Sequence, residues 1–203
     1  MAARTMTLSE LGSDLVPALG FLELSSISRG LFLTDVVLKK APVRIIASQP
    51  VSSGKHVLLY IGDVASVDEG HKAALENADG TILKDILIPG VHPQLAPFLD
   101  SIWNLLPVGA TRGPVADSVG IVESLTLAGA ILSADRALKA AQVSLCRMRL
   151  GQGIGGKAFY VLTGRQEDVE AALEAAKQTL SEVESFVRTD IIPRPDMEAL
   201  AYF

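Results

Sequence analysis

Residues 151–157 read GQGIGGK, and a shorter form of the same loop, SSGK, stands at residues 52–55. Taken alone, the longer loop has the look of a phosphate cradle. Gly151, Gly153 and Gly156 satisfy G-x-G-x-x-G, and the stretch nearly satisfies the G-x-x-x-x-G-K-[ST] of a P-loop. Two features argue against a nucleotide. Ala158 stands where a magnesium-holding hydroxyl is required. The following AFYVLTG is a strand pattern, whereas both phosphate motifs open a helix whose N–H groups face the anion. The loop therefore reads as a strand connection, and its recurrence directs attention to the rest of the chain.

The recurrence extends throughout. VGIVES at 119–124 answers LGFLEL at 19–24, with Gly20/Gly120 and Glu23/Glu123 in register. LTLAGAILSADRALKAAQV answers ISRGLFLTDVVLKKAPV, matching Asp35/Asp135, Leu38/Leu138 and Lys39/Lys139. Gly54-Lys55 matches Gly156-Lys157, Gly62 matches Gly164, and Ile88-Pro89 matches Ile192-Pro193. Identities at the same structural places along two halves define a tandem duplication.

Each half carries the same element pattern. ALGFLEL is strand-like, and Ser25 or Ser26 can cap a helix over ISRGLFLTDVVLKKA, which Pro42 stops. On that helix Ile27, Leu31, Thr34 and Leu38 share one face, read as inward, and Leu127, Ile131, Ala134 and Leu138 repeat it. VRIIAS and KHVLLYIG are strands either side of the turn PVSSG. A second helix follows with Val64, Val67, Ala74 and Ala78 inward, and then the strand TILKDILIPG. The order β-α-β-β-α-β is the ferredoxin-like arrangement. We expect an α+β chain of two such domains: a leader at 1–16, a first domain at 17–107, a linker rich in small residues at 108–117, and a second domain at 118–203. HPQLAPFLDSIWNLLP reads as a helical tail of the first domain, with Trp103 packing across the halves.

Composition narrows the function. A net charge of −5 disfavours nucleic acid as a main partner. No apolar run approaches the ~18 residues that span a bilayer, and MAARTMTLSELGSDL lacks the apolar core of a secretory signal. The single cysteine, Cys146, cannot form an internal disulfide, which fits a reducing cytosol. A positive mean hydropathy without a membrane segment points to apolar surface buried between subunits.

The residues of catalysis are not arranged for it. His56, His71 and His92 fall in a strand, a helix and a loop, without a second ligand at metal spacing. No serine sits in a G-x-S-x-G elbow. The equivalence of Glu23 and Glu123 suggests a structural role. Cys146, read as facing the same way as Ser144 and Met148, suits a buried or interface thiol. Lys39 and Lys139 end equivalent helices, where a cation complements the helix dipole. An outward edge used for lateral contacts is the other reading of this pair.

With the repeat, the paired lysines and the IIPRP ending in view, the chain resembles the bacterial microcompartment shell proteins, specifically their tandem-domain trimeric class. The likeness runs from about Leu19 to Glu198. It rests on GIVES followed by ADRALKAAQV, on the GIGGK loop, shared with the propanediol-utilisation members, and on IIPRP. The resemblance implies a structural, non-enzymatic subunit of a microcompartment shell in the cytoplasm. Three chains would form a pseudohexagonal tile, a pseudohexamer packing against other hexameric and pentameric shell proteins. It implies a central pore for small polar metabolites, lined by Val51, Ser52, Ser53 and Gly54 of one loop and Gly153, Ile154 and Gly155 of the other. It places Lys39, Lys139 and Arg194 at tile edges. Gly90 stands where the first half would match Arg194, and Asp196 replaces a common histidine.

The propanediol-utilisation members carry a cysteine in the first loop that holds an iron–sulfur cluster. Here the position is Ser52, a poor ligand for such a cluster, so no metal or cofactor is expected. Two other functions remain open on sequence: an electron-transfer pore with a metal or iron–sulfur centre, and a ferredoxin-like regulator binding a small ligand. No partner among nucleic acids or membranes is expected.

Overall fold

A computed structural model describes residues 17–101 and 117–199; Trp103, the leader and all but the last residue of the linker lie outside them. The chain forms two compact units. One comprises Met1–Pro50 with Gly54–Asn104, and the other Val51–Ser53 with Leu105–Phe203.

In the first half, β1 (Ala18–Leu24), α1 (Ile27–Lys40), β2 (Arg44–Val51), β3 (Lys55–Gly62), α2 (Val64–Glu76) and β4 (Ile82–Ile88) follow in order, with α3 (Ala96–Ser101) after them. The second half repeats the plan as β5 (Ser118–Ser124), α4 (Leu127–Ala140), β6 (Ser144–Leu150), β7 (Ala158–Gly164), α5 (Gln166–Glu182) and β8 (Phe186–Pro193). The sheets run β2-β3-β1-β4 and β6-β7-β5-β8. β1 is antiparallel to both β3 and β4, and β5 to both β7 and β8, the strand order of a ferredoxin-like fold.

Local chemistry sets the helix boundaries. Ser26 accepts from the Arg29 N–H, Asp63 from that of Ser66 and Thr126 from that of Gly129. Each satisfies an otherwise orphaned N–H of a first turn. Leu22, Leu24, Leu33, Val37, Leu58 and Tyr60 form the core beneath the first pair of helices.

Three details differ from the sequence reading. In α1 the buried face is Gly30, Leu33 and Val37, while Ile27, Leu31 and Leu38 are 40%, 56% and 51% exposed. The helix carries two apolar stripes, and periodicity alone does not choose between them. The close approach of His56 does: its ring lies 2.1 Å from where a Cβ on Gly30 would stand, so only glycine lets this face meet the sheet. In α4 the expected face holds, with Leu127, Ile131, Ala134 and Leu138 all buried. On α2, Val64 is exposed because it is the first helical residue, whereas Val67 and Ala74 point inward. In β6 a bulge between Leu145 and Arg147 resets the alternation. Leu145, Met148 and Leu150 are therefore buried together, and Cys146 stands at the irregularity, not in the row expected for it.

Candidate functional site

The two glycine loops each begin where a strand ends, and each reverses direction through left-handed backbone. After β2, Ser52–Gly54 forms one 3-10 turn in which Ser53 and Gly54 have φ of 69° and 70°. After β6, Gly151, Gly153, Gly155 and Gly156 have φ between 65° and 77°. A side chain at such an angle meets its own backbone. Four glycines in six residues thus follow from the path of the second loop. No atom lies within 4 Å of where a Cβ would stand on Gly54 or Gly155, so both face open space in the single chain.

The second loop is closed by its own backbone: Gly151 N–H donates to Lys157 O at 2.9 Å, and Lys157 N–H to Ile154 O at 3.3 Å. Arg149 Nε donates to Gln152 O at 3.0 Å and braces its outer side. Residues Val51–Ser53 belong to the same compact unit as this loop. Ser52 Oγ accepts from Gly153 N–H at 3.0 Å, and Val51 is buried, its Cβ 3.4 Å from where a Cβ on Gly151 would stand. Residues a hundred positions apart are thereby joined. Ser53, Gly54, Gly153 and Gly155 are exposed, while Ser52 and Ile154 are half-buried.

The lysines that follow the loops are not equivalent. Lys55 Nζ lies 2.7 Å from Oε1 of Glu23, whose side chain is fully buried. Lys157 is exposed, and Glu123, half-buried, sits opposite Arg188 in the sheet. The first loop is therefore anchored by a buried ion pair that the second replaces with the Arg149 brace. Neither partnership is visible in sequence, although the recurrence of Glu23 and Glu123 marked the place.

The expected edge residues lie apart from the loops in sequence, at the ends of elements. Lys39 pairs with Asp35 at 2.6 Å and Lys139 with Asp135 at 2.5 Å, each one helical turn back. Arg194 follows β8 with φ of 47°, and its N–H donates to Asp117 O at 2.8 Å.

An iron–sulfur centre does not fit this site. The Ser52 oxygen is a hydroxyl already engaged by Gly153, not the thiolate that such a centre requires. Burial holds the Cys146 thiol above its ordinary pKa, the opposite of what a thiolate ligand needs. Polar chemistry elsewhere is structural. His71 bridges the buried Tyr60 hydroxyl at 2.7 Å and Asp85 at 3.0 Å.

Comparison with known proteins agrees with this architecture. The BMC domain family model matches residues 18–91 and again 118–195. The chain is 33% identical over 178 residues to the bacterial microcompartment shell protein PduT of Citrobacter freundii, spanning 88% of this chain and 92% of that one. Its fold is similar to the crystal structure of a microcompartments protein from Desulfitobacterium hafniense, with TM-score 0.77 and 34% identity, covering 93% of this chain and all of the other. It is also similar to a fused permuted hexameric shell protein of the RMM microcompartment, with TM-score 0.61, 26% identity and 83% of each chain covered. Two BMC domains in tandem, each a four-stranded sheet with its helices, make the chain a member of the bacterial microcompartment shell protein family.

Proposed function

We propose that three copies of this chain close into a flat pseudohexagonal tile of a microcompartment shell in the cytoplasm. The tile has no catalytic role, and its central pore, formed where the glycine loops of three chains meet, passes small polar metabolites. The observation that carries the reading is the unequal burial of duplicated helices. Leu127, Ile131 and Leu138 on α4 are 0%, 0% and 5% exposed, while their counterparts Ile27, Leu31 and Leu38 on α1 are 40%, 56% and 51% exposed. The same apolar face is thus covered in one copy of the domain and bare in the other. A soluble protein covers such a stripe with another chain, and in a ring of three, α1 of one chain would meet the second domain of the next.

The loops suit the axis of such a ring. Gly54 and Gly155 leave room for converging backbones, and Ser52 and Ser53 supply hydroxyls that a polar solute can exchange for water. Lys39, Lys139 and Arg194 would lie along the rim and bind neighbouring hexameric and pentameric tiles. The test is light scattering after size exclusion, with mass close to three times 21.4 kDa expected. A monomer at every concentration would overturn the reading. Lys39→Ala or Lys139→Ala should impair lateral assembly and leave the trimer intact.

A further inference from the structure

Two side chains of the second unit meet at Gly153. Ser52 Oγ accepts from its N–H at 3.0 Å, and Arg149 Nη2 lies 3.0 Å from where a Cβ on Gly153 would stand. Glycine thus leaves room for the guanidinium. Arg149 is held in that pose by its Nε–H, which donates to Gln152 O at 3.0 Å. Among the described residues its Nη groups have no acceptor, although a guanidinium carries a fixed fork of donors. The Ser52 hydroxyl accepts from Gly153, and its own proton likewise has no acceptor among the described residues. An ordered cation and a hydroxyl, both with hydrogens to give, therefore stand over the same residue.

Charge around this point has one sign. Arg147 and Arg149 share one side of β6, and the Arg147 guanidinium lies 5.7 Å above the ring of Phe159, the cross-strand neighbour of Arg149. Lys157, directly before β7, falls in the same alternation as Phe159; it is exposed and makes no ion pair among the described residues. In sheet register the first carboxylate beyond Phe159 is Glu123, which has Arg188 on its other side. The first half lacks this arrangement. Ala47 and Gln49 stand at the positions of Arg147 and Arg149, and Lys55, the counterpart of Lys157, is neutralised by buried Glu23. Three cations beside one loop thus belong to the second copy alone, on a chain whose net charge is −5.

We propose that Arg149, Ser52 and Lys157 form an oxyanion site at the second glycine loop, which takes a small carboxylate or phosphate. Arg149 grips the anion through charge-assisted hydrogen bonds, and Ser52 adds a second donor. Lys157 and Arg147 keep the surrounding potential positive and raise the local concentration of anions. The site lies within a single chain. Its consequence, a pore that admits small anions ahead of neutral or cationic solutes, rests on the tile reading.

The test is a titration of the full chain, labelled with glycine-15N, with sodium phosphate and separately with sodium acetate. Sodium chloride at matched ionic strength is the control. We expect saturable amide shifts at Gly153 and Gly155 that chloride does not produce, and whichever anion saturates first names the class that the site takes. Arg149→Gln should weaken binding about tenfold. Because Arg149 also braces the loop, Lys157→Gln is read in parallel; it breaks no described side-chain contact and should weaken binding about threefold. Shifts that rise linearly and match those in chloride would overturn the proposal. So would saturable binding that neither variant weakens, which would put the anion elsewhere. Light scattering on the same samples separates the two readings. Anion binding by a monomer would keep the site and remove the pore, whereas a trimer whose loop ignores both anions would keep the tile and remove the site.

Discussion

Leu31→Glu separates a surface leucine from an interface one. Leu31 is 56% exposed in the single chain and lies mid-helix on α1, where glutamate is an acceptable helix former. If that face met only water, the change would be worth no more than about 0.5 kcal/mol. If another copy covers it, two costs arise at each contact. Covering the exposed half of a leucine contributes about 1 kcal/mol, half of the usual range for full burial. An unpaired carboxylate taken from water adds several more. Even about 3 kcal/mol per contact weakens each association by about a hundredfold, and a closed trimer repeats the contact three times. We therefore expect Leu31→Glu to give a monomer by light scattering at concentrations where the parent should give the proposed trimer, with its far-UV circular dichroism retained. Ile131→Glu on α4 should instead disrupt the fold, because Ile131 is fully buried within one chain. A Leu31→Glu protein that stays trimeric with unchanged melting would refute the assignment of this face.

Other expectations follow from single contacts. Lys55→Met removes the ammonium beside fully buried Glu23 and should cost about 3 kcal/mol in urea unfolding; Lys157→Met, at the exposed equivalent, should stay within about 0.5 kcal/mol. Ser52→Ala leaves Gly153 N–H without its acceptor and should cost about 1 kcal/mol, read as faster hydrogen exchange at Gly153. Burial lowers the His56 pKa below 6.5, so the unfolded chain takes up a proton that the folded chain resists. Stability is then full above 6.5 and falls as pH drops below it toward the folded value. His56→Gln should flatten that part of a melting-against-pH profile. Iron reconstitution of the native protein should give no charge-transfer absorption, since Ser52 offers no thiolate.

Much of the fold was legible because duplication writes each element twice. The strand that follows GIGGK, the caps at Ser26 and Thr126 and the order of elements all follow from local chemistry repeated in two places. The phase of α1 was not legible. Its two apolar stripes are equal in periodicity, and the choice rests on Gly30 meeting His56, 26 residues away in sequence and on another element. The β6 bulge at Cys146 escaped for a similar reason, since alternation presumes an unbroken ladder. At the candidate site, glycine content marked where the chain turns through left-handed backbone. The bond from Gly153 to Ser52 and the buried pair of Glu23 with Lys55 depend on long-range register that spacing does not encode. Val51 shows the difference within one loop: neighbour to two exposed or half-exposed serines, it is itself buried.

Electron microscopy of the concentrated native protein tests the tile most directly. We expect hexagonally packed sheets or tubes whose averaged units have three-fold symmetry around a central opening, because each unit would hold two unlike domains three times. Particles of single-chain size that never pack at any concentration would contradict it.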